Sequence, residues 1–393
     1  MASLPWSKAL AATLAERQLS GRYRRLRTRS GEQGVSVIID GKEMLSFCSN
    51  DYLGLAAHPT ITKAFINAAE TEGVGSGAAH LLSGHSYYHQ QLEEALADFM
   101  GQQSVLLFSS GYQANLGVID GLMSRGDVVI QDKLNHASLL DGGRLSAAKS
   151  WRYHHADMGS LQRRLRQTED SDCRLVVTDG VFSMDGDLAP LQPLIQLTQK
   201  HQAALMVDDA HAIGVLGKHG RGSVEHWQVK AEHMPIVMGT LGKAFGTAGA
   251  FVAADKDVIE TLIQQSRTFV YTTAQPAAVA AASLASLVLV RTENWRREKL
   301  QTLIEQFRKG AAELGLATMN SLTPIQPIMI GDDKKAIVIG QELESRGFLL
   351  GVIRTPTVPL GSARLRVTLS TNHTEQNIKQ LLEALEDVIC TSQ

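Results

Sequence analysis

Five short apolar runs, each ending in polar residues, constrain this chain more than any other feature. SVLLF at 104–108 leads to Ser109 and Ser110, and DVVIQD at 127–132 runs on to His136. RLVVTDG at 174–180 precedes Ser183, ALMVDDAH at 204–211 holds Asp208 and His211, and PIVMGT at 235–240 leads to Lys243. Helical patterns such as GYQANLGVIDGLM, HASLLDGGRL and APLQPLIQLTQKH separate most of them. Continuous apolar strands of this kind belong in a mainly parallel sheet covered on both faces by helices. Ligands of such sheets sit beyond the carboxyl ends of the strands. The sequence therefore predicts an α/β fold whose polar strand ends converge on one face.

After about residue 290 the pattern changes. The helical ENWRREKLQTLIEQFRKGAAEL is followed by IQPIMIGD, KKAIVIGQELESRG, LLGVI, ARLRVTL and TEQNIKQLLEALEDVI, an order that predicts a compact α+β unit. Three parts are expected: an N-terminal helix and extended segment over 1–50, a large domain over 51–290, and a small C-terminal domain over 291–393. In the first, Leu10, Leu14 and Arg17 recur at helical spacing. The arginines that follow (Arg22, Arg24, Arg25, Arg27 and Arg29) read either as a solvated helix end or as a site for an anionic ligand.

Composition narrows the function. A net charge of −2 argues against a general nucleic-acid or membrane-surface role. The most apolar stretch, AQPAAVAAASLASLVLV, reads as a packed helix rather than a bilayer span. Cys48, Cys173 and Cys390 lack the spacing of a disulfide framework or zinc knuckle and fit a reducing cytoplasm.

Lys243 lies in MGTLGKAFGTAGAFVAAD, among Gly242, Ala244, Gly246 and Gly249. Burial lowers a lysine's pKa and makes its amine a nucleophile, and small neighbours let an aldehyde reach it. The surroundings supply what such a cofactor needs. The Thr240 hydroxyl can hold a phosphate, as can the backbone N–H groups where SSGYQAN turns from strand to helix. In VDDAH, either Asp208 or Asp209 can keep a pyridine nitrogen protonated, making the ring an electron sink. His211 follows a short turn later, and His136 in DKLNHAS can lie flat on a ring. Together these are the requirements of pyridoxal 5′-phosphate chemistry. His154, His155 and Asp157 come without a matching ligand set, so no metal site is expected. No GxGxxG opens the first strand–helix unit, which disfavours a dinucleotide.

The motifs FCSNDYLGL (47–55), GSG (75–77), NHAS (135–138), DGVFSMDGD (179–187), VDDAH (207–211), GTLGKAFG (239–246) and TPTVPLGSARLRVTLS (355–370) span nearly the whole chain. In order and spacing they resemble the α-oxoamine synthases, pyridoxal-phosphate enzymes that condense an amino acid with an acyl thioester. The resemblance implies the type I aminotransferase-like fold, with 51–290 binding the cofactor and active sites shared across a homodimer. It implies that Lys243 is the covalent attachment point, that Asp208 pairs with the ring nitrogen and that His136 stacks on the ring. His211 and Ser183 would lie beside the phenolic oxygen. Ser110, Gly111, Tyr112 and Thr240 would surround the phosphate, joined from the partner subunit by Thr272 or Thr273. Asn50 and Arg366 would meet the amino acid, and Arg24 or its neighbour Arg25 the acyl substrate. TPTVPLGSARLR favours members that join L-alanine to a pimeloyl thioester, on coenzyme A or acyl carrier protein, in biotin biosynthesis. Glycine with acetyl-CoA is the alternative pair. The chain departs from the family at Ala78, Ala79 and His80, where relatives often carry glycine, serine or threonine, and arginine.

Overall fold

A computed structural model describes residues 4–390; residues 1–3 and 391–393, and the side chain of Cys390, lie outside the described part. Seven strands form the larger sheet. Their spatial order is Ser104–Phe108, Ala250–Ala254, Ile236–Thr240, Ala204–Asp208, Arg174–Asp179, Val128–Asp132 and Lys149–Tyr153. Ala250–Ala254 runs antiparallel to both neighbours, and every other pair is parallel. Alternate residues feed two cores. Val105, Leu107, Phe251 and Ala253 join one cluster, while Leu106, Phe108 and Val252 join the cluster on the opposite face. Burial on both faces is why these strands read as unbroken apolar runs, each buried Val, Leu or Phe contributing roughly 1.5–3 kcal/mol. Lys149–Tyr153 was not legible as a strand, since KSWRY sits at the sheet edge and buries fully only Tyr153.

The lysine segment is the tight return between two antiparallel strands, Thr240 pairing with Ala250. Leu241 N–H donates to Gly249 O at 2.9 Å, and Thr247 N–H donates to Leu241 O at 2.9 Å. Gly246 has φ of 65°, and a Cβ there would lie 2.4 Å from Ala56 N. Its job is therefore the turn and the close approach of a neighbouring backbone. Of the three glycines around the lysine, only Gly242 would take a Cβ without crowding, its nearest neighbour standing at an ordinary contact distance of 3.7 Å.

The second sheet has six strands in the order Arg29–Ser30, Ser36–Ile39, Lys42–Phe47, Phe348–Ile353, Ala363–Thr368 and Ile325–Gly331. Phe348 pairs in parallel with Leu45, so strands from the two ends of the chain complete one sheet. The expected N-terminal helix forms over Ser7–Leu19, but none of its side chains is buried. AQPAAVAAASLASLVLV becomes the helix Ala277–Thr292 behind Pro276, burying Ala278 and Ala281 against Ala68. Among the described residues no helix is long and apolar enough to cross a membrane.

Candidate active site

Beyond the carboxyl ends of the large-sheet strands lies a cavity of about 200 Å³. Gly111, Tyr112, His136, Ser183, Asp208, His211, Thr240 and Lys243, all singled out from the sequence, line it together. Asn115, Ser138, Asp179, Ala210 and Met238 complete the wall.

The structure separates the two aspartates of VDDAH. Asp208 ends its strand facing the cavity, where its Oδ2 accepts from Asn115 Nδ2 at 2.6 Å and its Oδ1 from Ala210 N–H at 3.0 Å. The same Asn115 amide donates to Ser138 Oγ at 2.8 Å, which ties Asp208 to the His136 loop. Asp209 turns away and accepts the Ser223 N–H at 2.7 Å; burial pushes its pKa up to about 7. Asp208 is thus the carboxylate that a ligand ring can meet. Sequence reasoning did not assign Asn115 to the site, although it stands one helical turn after Gly111 and so on the same face.

His136 is exposed at the mouth of the cavity. Its backbone N–H donates to Asp179 Oδ2 at 2.8 Å, and its Nδ1 lies 2.7 Å from Ser138 Oγ. Burial, and then the neighbouring Asp208 carboxylate, raise the Asp179 pKa well above its ordinary value.

Lys243 forms no hydrogen bond or ion pair among the described residues. Burial lowers its pKa to about 8, while Asp208 and Asp179 work in the other direction. About a tenth of the amine is therefore unprotonated at pH 7, far more than for an ordinary lysine, and that is the state that attacks an aldehyde. Burial also holds the His211 pKa well below its usual value, helped by the charges of Lys243 and Arg366. The Tyr52 hydroxyl lies 2.6 Å from His211 Nδ1 and 3.2 Å from Asn50 Oδ1, and burial pushes the Tyr52 pKa up to about 12. Tyr52 is a further residue missed from sequence, although it lies two positions after Asn50 in FCSNDYLGL.

Arg364 and Arg366 share a strand and a face, yet differ in their partners. Arg364 is ion-paired with Asp185. Arg366 is only 7% exposed, and its acceptors are neutral: Ser183 O at 2.6 Å, Thr368 Oγ1 at 3.3 Å and Asn50 Oδ1 at 3.4 Å. No carboxylate pairs with it among the described residues. A buried guanidinium lacking an acid is costly, and an anionic ligand would complete it.

The helix Gly111–Leu122 points its first turn at the same cavity. The N–H groups of Gly111 and Tyr112 have no partner within the helix, the usual condition for binding a phosphate. Ser110 is the N-cap, its hydroxyl accepting from Gln113 N–H at 3.2 Å, and so supports that turn without lining the cavity.

Besides Ser110, five predicted residues do not line this cavity: Arg366 and Asn50 stand beside it through Ser183 O, and Thr272, Thr273 and Arg24 lie elsewhere within the chain. Thr273 bridges to Ala79, with Thr272 beside it, and Arg24 lines a separate pocket with Arg17, Arg22 and Arg354. The Ala78–Ala79–His80 departure packs on this threonine segment, and His80 stacks on Phe269 at 5.1 Å between ring centroids. Ring nitrogens of His80, His85 and His89 lie within 4.8 Å of one another. His89, however, accepts the Ser86 N–H at Nδ1 (3.0 Å) and donates from Nε2 to Gln275 O (2.8 Å). No lone pair is left on it for a cation.

Comparison with known proteins gives the family. The profile of aminotransferase class I and II matches residues 42–385. The 8-amino-7-oxononanoate synthase of Nitrosococcus oceani is 56% identical over 376 residues, covering 96% of this chain and 100% of the relative. Among solved structures, SPT with PLP superposes with a TM-score of 0.93 at 29% identity, covering 99% of both chains. An 8-amino-7-oxononanoate synthase from Francisella tularensis gives a TM-score of 0.77 at 32% identity, over 89% of this chain and 98% of that one. The chain belongs to the aminotransferase class I and II family and, within it, to the family of the 8-amino-7-oxononanoate synthases.

Proposed function

We propose that this protein is a pyridoxal-phosphate acyltransferase that condenses L-alanine with a pimeloyl thioester, giving 8-amino-7-oxononanoate, CO2 and free thiol in biotin biosynthesis. One observation carries the reading: a partnerless lysine amine and a buried aspartate face one cavity, beside a buried arginine that has no acid.

The residues present fit the cofactor. Lys243 supplies an amine with a lowered pKa, and the N–H groups of Gly111 and Tyr112 supply donors for a phosphate; the Thr240 hydroxyl, which donates to Gly249 O at 3.1 Å, would join them by rotating. Asp208, anchored by Asn115, supplies a carboxylate for the ring nitrogen, and His136 supplies a flat ring at the cavity mouth. Ser183 and His211 would stand beside the phenolic oxygen. Bound there, the cofactor supplies an electron-accepting ring that stabilises negative charge at the Cα of an amino acid.

The chain's own groups do the rest. Arg366 and Asn50 would hold the alanine carboxylate, fixing which Cα bond stands perpendicular to the ring. Lys243, once released, would take the Cα proton on Nζ. The Asn115 amide and the Ala210 N–H, donating to its two oxygens, would hold the Asp208 carboxylate in place for the ring nitrogen. The deprotonated alanine Cα would form the new bond at the thioester carbonyl, from which the thiol would leave; the carboxylate held by Arg366 and Asn50 would then depart as CO2, and a proton would take its place on that carbon.

Arg24, or Arg25, would meet the distal end of the acyl substrate. Thr272 or Thr273 would complete the phosphate site from a second copy, making the protein a homodimer, and we place it in the cytoplasm. We also propose the division at residues 50 and 290, with the N-terminal strands completing the sheet of the small domain. The test is product mass spectrometry with alanine and pimeloyl-CoA or pimeloyl-acyl carrier protein, set against glycine and acetyl-CoA. Turnover of the first pair is expected; turnover of only the second would overturn the substrate assignment.

A further inference from the structure

His155 follows the edge strand Lys149–Tyr153 and does not line the cavity. Its Nδ1 lies 3.0 Å from Asp132 Oδ1 and its Nε2 lies 2.8 Å from Asp187 Oδ2. Ionised carboxylates only accept hydrogen bonds, so both ring nitrogens must carry hydrogen, and the ring is an imidazolium. Burial alone would lower its pKa, but hydrogen bonds to Asp132 and Asp187 outweigh that and raise it to about 10. The Phe182 ring closes over it edge-on, 4.4 Å between centroids.

Each carboxylate belongs to a different wall of the site. Asp132 is 1% exposed and ends the strand that leads into the His136 loop. Its oxygens also accept the N–H of Leu134 at 2.8 Å and of Ala156 at 2.9 Å. Asp187 closes the hairpin that carries Ser183, its carbonyl accepting the Phe182 N–H at 3.0 Å with Val181 bridged to Leu188. Ser183 O in turn holds Arg366 Nε. One imidazolium thus links the loop presenting His136 to the hairpin that anchors Arg366.

We propose that His155 is a positioning residue, a cationic clamp between Asp132 and Asp187 that sets the spacing between His136 and the Ser183–Arg366 pair. The inference rests on the proposed function only for what those residues hold. Other anchors share the load: His136 N–H is held by Asp179, and the hairpin by the Arg364–Asp185 ion pair. The clamp is therefore a matter of sub-ångström alignment.

The test compares wild type with His155→Gln and Asp187→Asn as purified holoproteins. Three quantities are read: thermal stability, the visible circular dichroism of bound pyridoxal phosphate, and the alanine dissociation constant from the spectral change alanine causes without acyl donor. His155→Gln is expected to shrink the dichroic band and to weaken alanine binding roughly tenfold, the size expected of a shift well under 1 Å. Asp187→Asn, which loosens the Ser183 side only, should weaken alanine binding with less change in the band. If His155→Gln does not fold, Asp187→Asn decides the matter through alanine binding alone. Loss of stability with an unchanged band and unchanged alanine binding would make His155 merely structural and overturn the proposal, as would no change at all. Wild-type protein inactive with alanine and pimeloyl thioesters would sink the proposed reaction, while the two spectral readouts would still decide the clamp.

Discussion

The Lys243 cavity and the arginine pocket of the N-terminal segment are built on opposite plans. At the cavity, Asp208, His136 and Arg366 are each fixed by a partner from another element, Asn115, Asp179 and Ser183 O respectively, and only the Lys243 amine is left without one among the described residues. The pocket gathers Arg17, Arg22, Arg24 and Arg354, of which the first three are exposed and form no ion pair among the described residues. Only Arg354 is tied, donating from Nε and Nη2 to Gly21 O at 3.0 and 2.7 Å. The helix leading into it, Ser7–Leu19, buries nothing. Chemistry at the cavity relies on groups already held in place, whose orientation need not be established during reaction. The pocket instead offers a diffuse positive field, suited to attracting an anion and sensitive to salt.

This contrast breaks first at Lys243. Lys243→Ala should lose the imine absorbance of the bound cofactor and at least about a thousandfold in turnover, since one group serves as attachment point and base. An unchanged spectrum would remove Lys243 from the mechanism. Next in size is Arg366→Ala, which should weaken alanine binding by about 10- to 100-fold, the loss of a charge-assisted contact in a dry site. Spectral titration with alanine measures it, and near-wild-type affinity would mean that the unpaired guanidinium serves something else.

A pH profile sharpens the same comparison. With a pKa lowered to about 8, Lys243 gains its free amine as pH rises through that value. The rate at which apoprotein captures pyridoxal phosphate should climb from pH 6.5 and level off above pH 8, falling about tenfold per unit on the acid side. A rise continuing to pH 10 would show a solvated lysine. The smallest effect is expected in the pocket. Arg24→Ala should raise the KM for the pimeloyl thioester by about two- to fivefold, less at high salt, and leave alanine binding alone. A loss as large as that of Arg366→Ala would show the pocket to be as rigidly organised as the cavity.

Much of the site was legible because parallel sheets place their functional groups at strand ends, and strand ends can be read. Ser183, Asp208, Thr240 and Lys243 were all found that way, and all line one cavity. Spacing alone did not choose between Asp208 and Asp209; only the family resemblance pointed to Asp208, which does line the cavity. One residue along a strand reverses the face, and a strand buried on both sides leaves no alternation to read. The role of His155 was not legible for a related reason. Asp157, grouped with it in sequence, caps a helix by accepting the Ser160 N–H, and the partners of His155 are the distant Asp132 and Asp187.

The sequence by itself determined the strand–helix alternation, the mainly parallel sheet and the identity of the lysine, because these follow from local periodicity and from motifs a few residues long. Only the tertiary structure decided what holds Asp208 in place, which arginine is left without an acid, and how strands from the two ends of the chain pair into one sheet. Those outcomes depend on contacts between residues far apart in sequence, whose hydrogen bonds and burial are settled only when the layers pack.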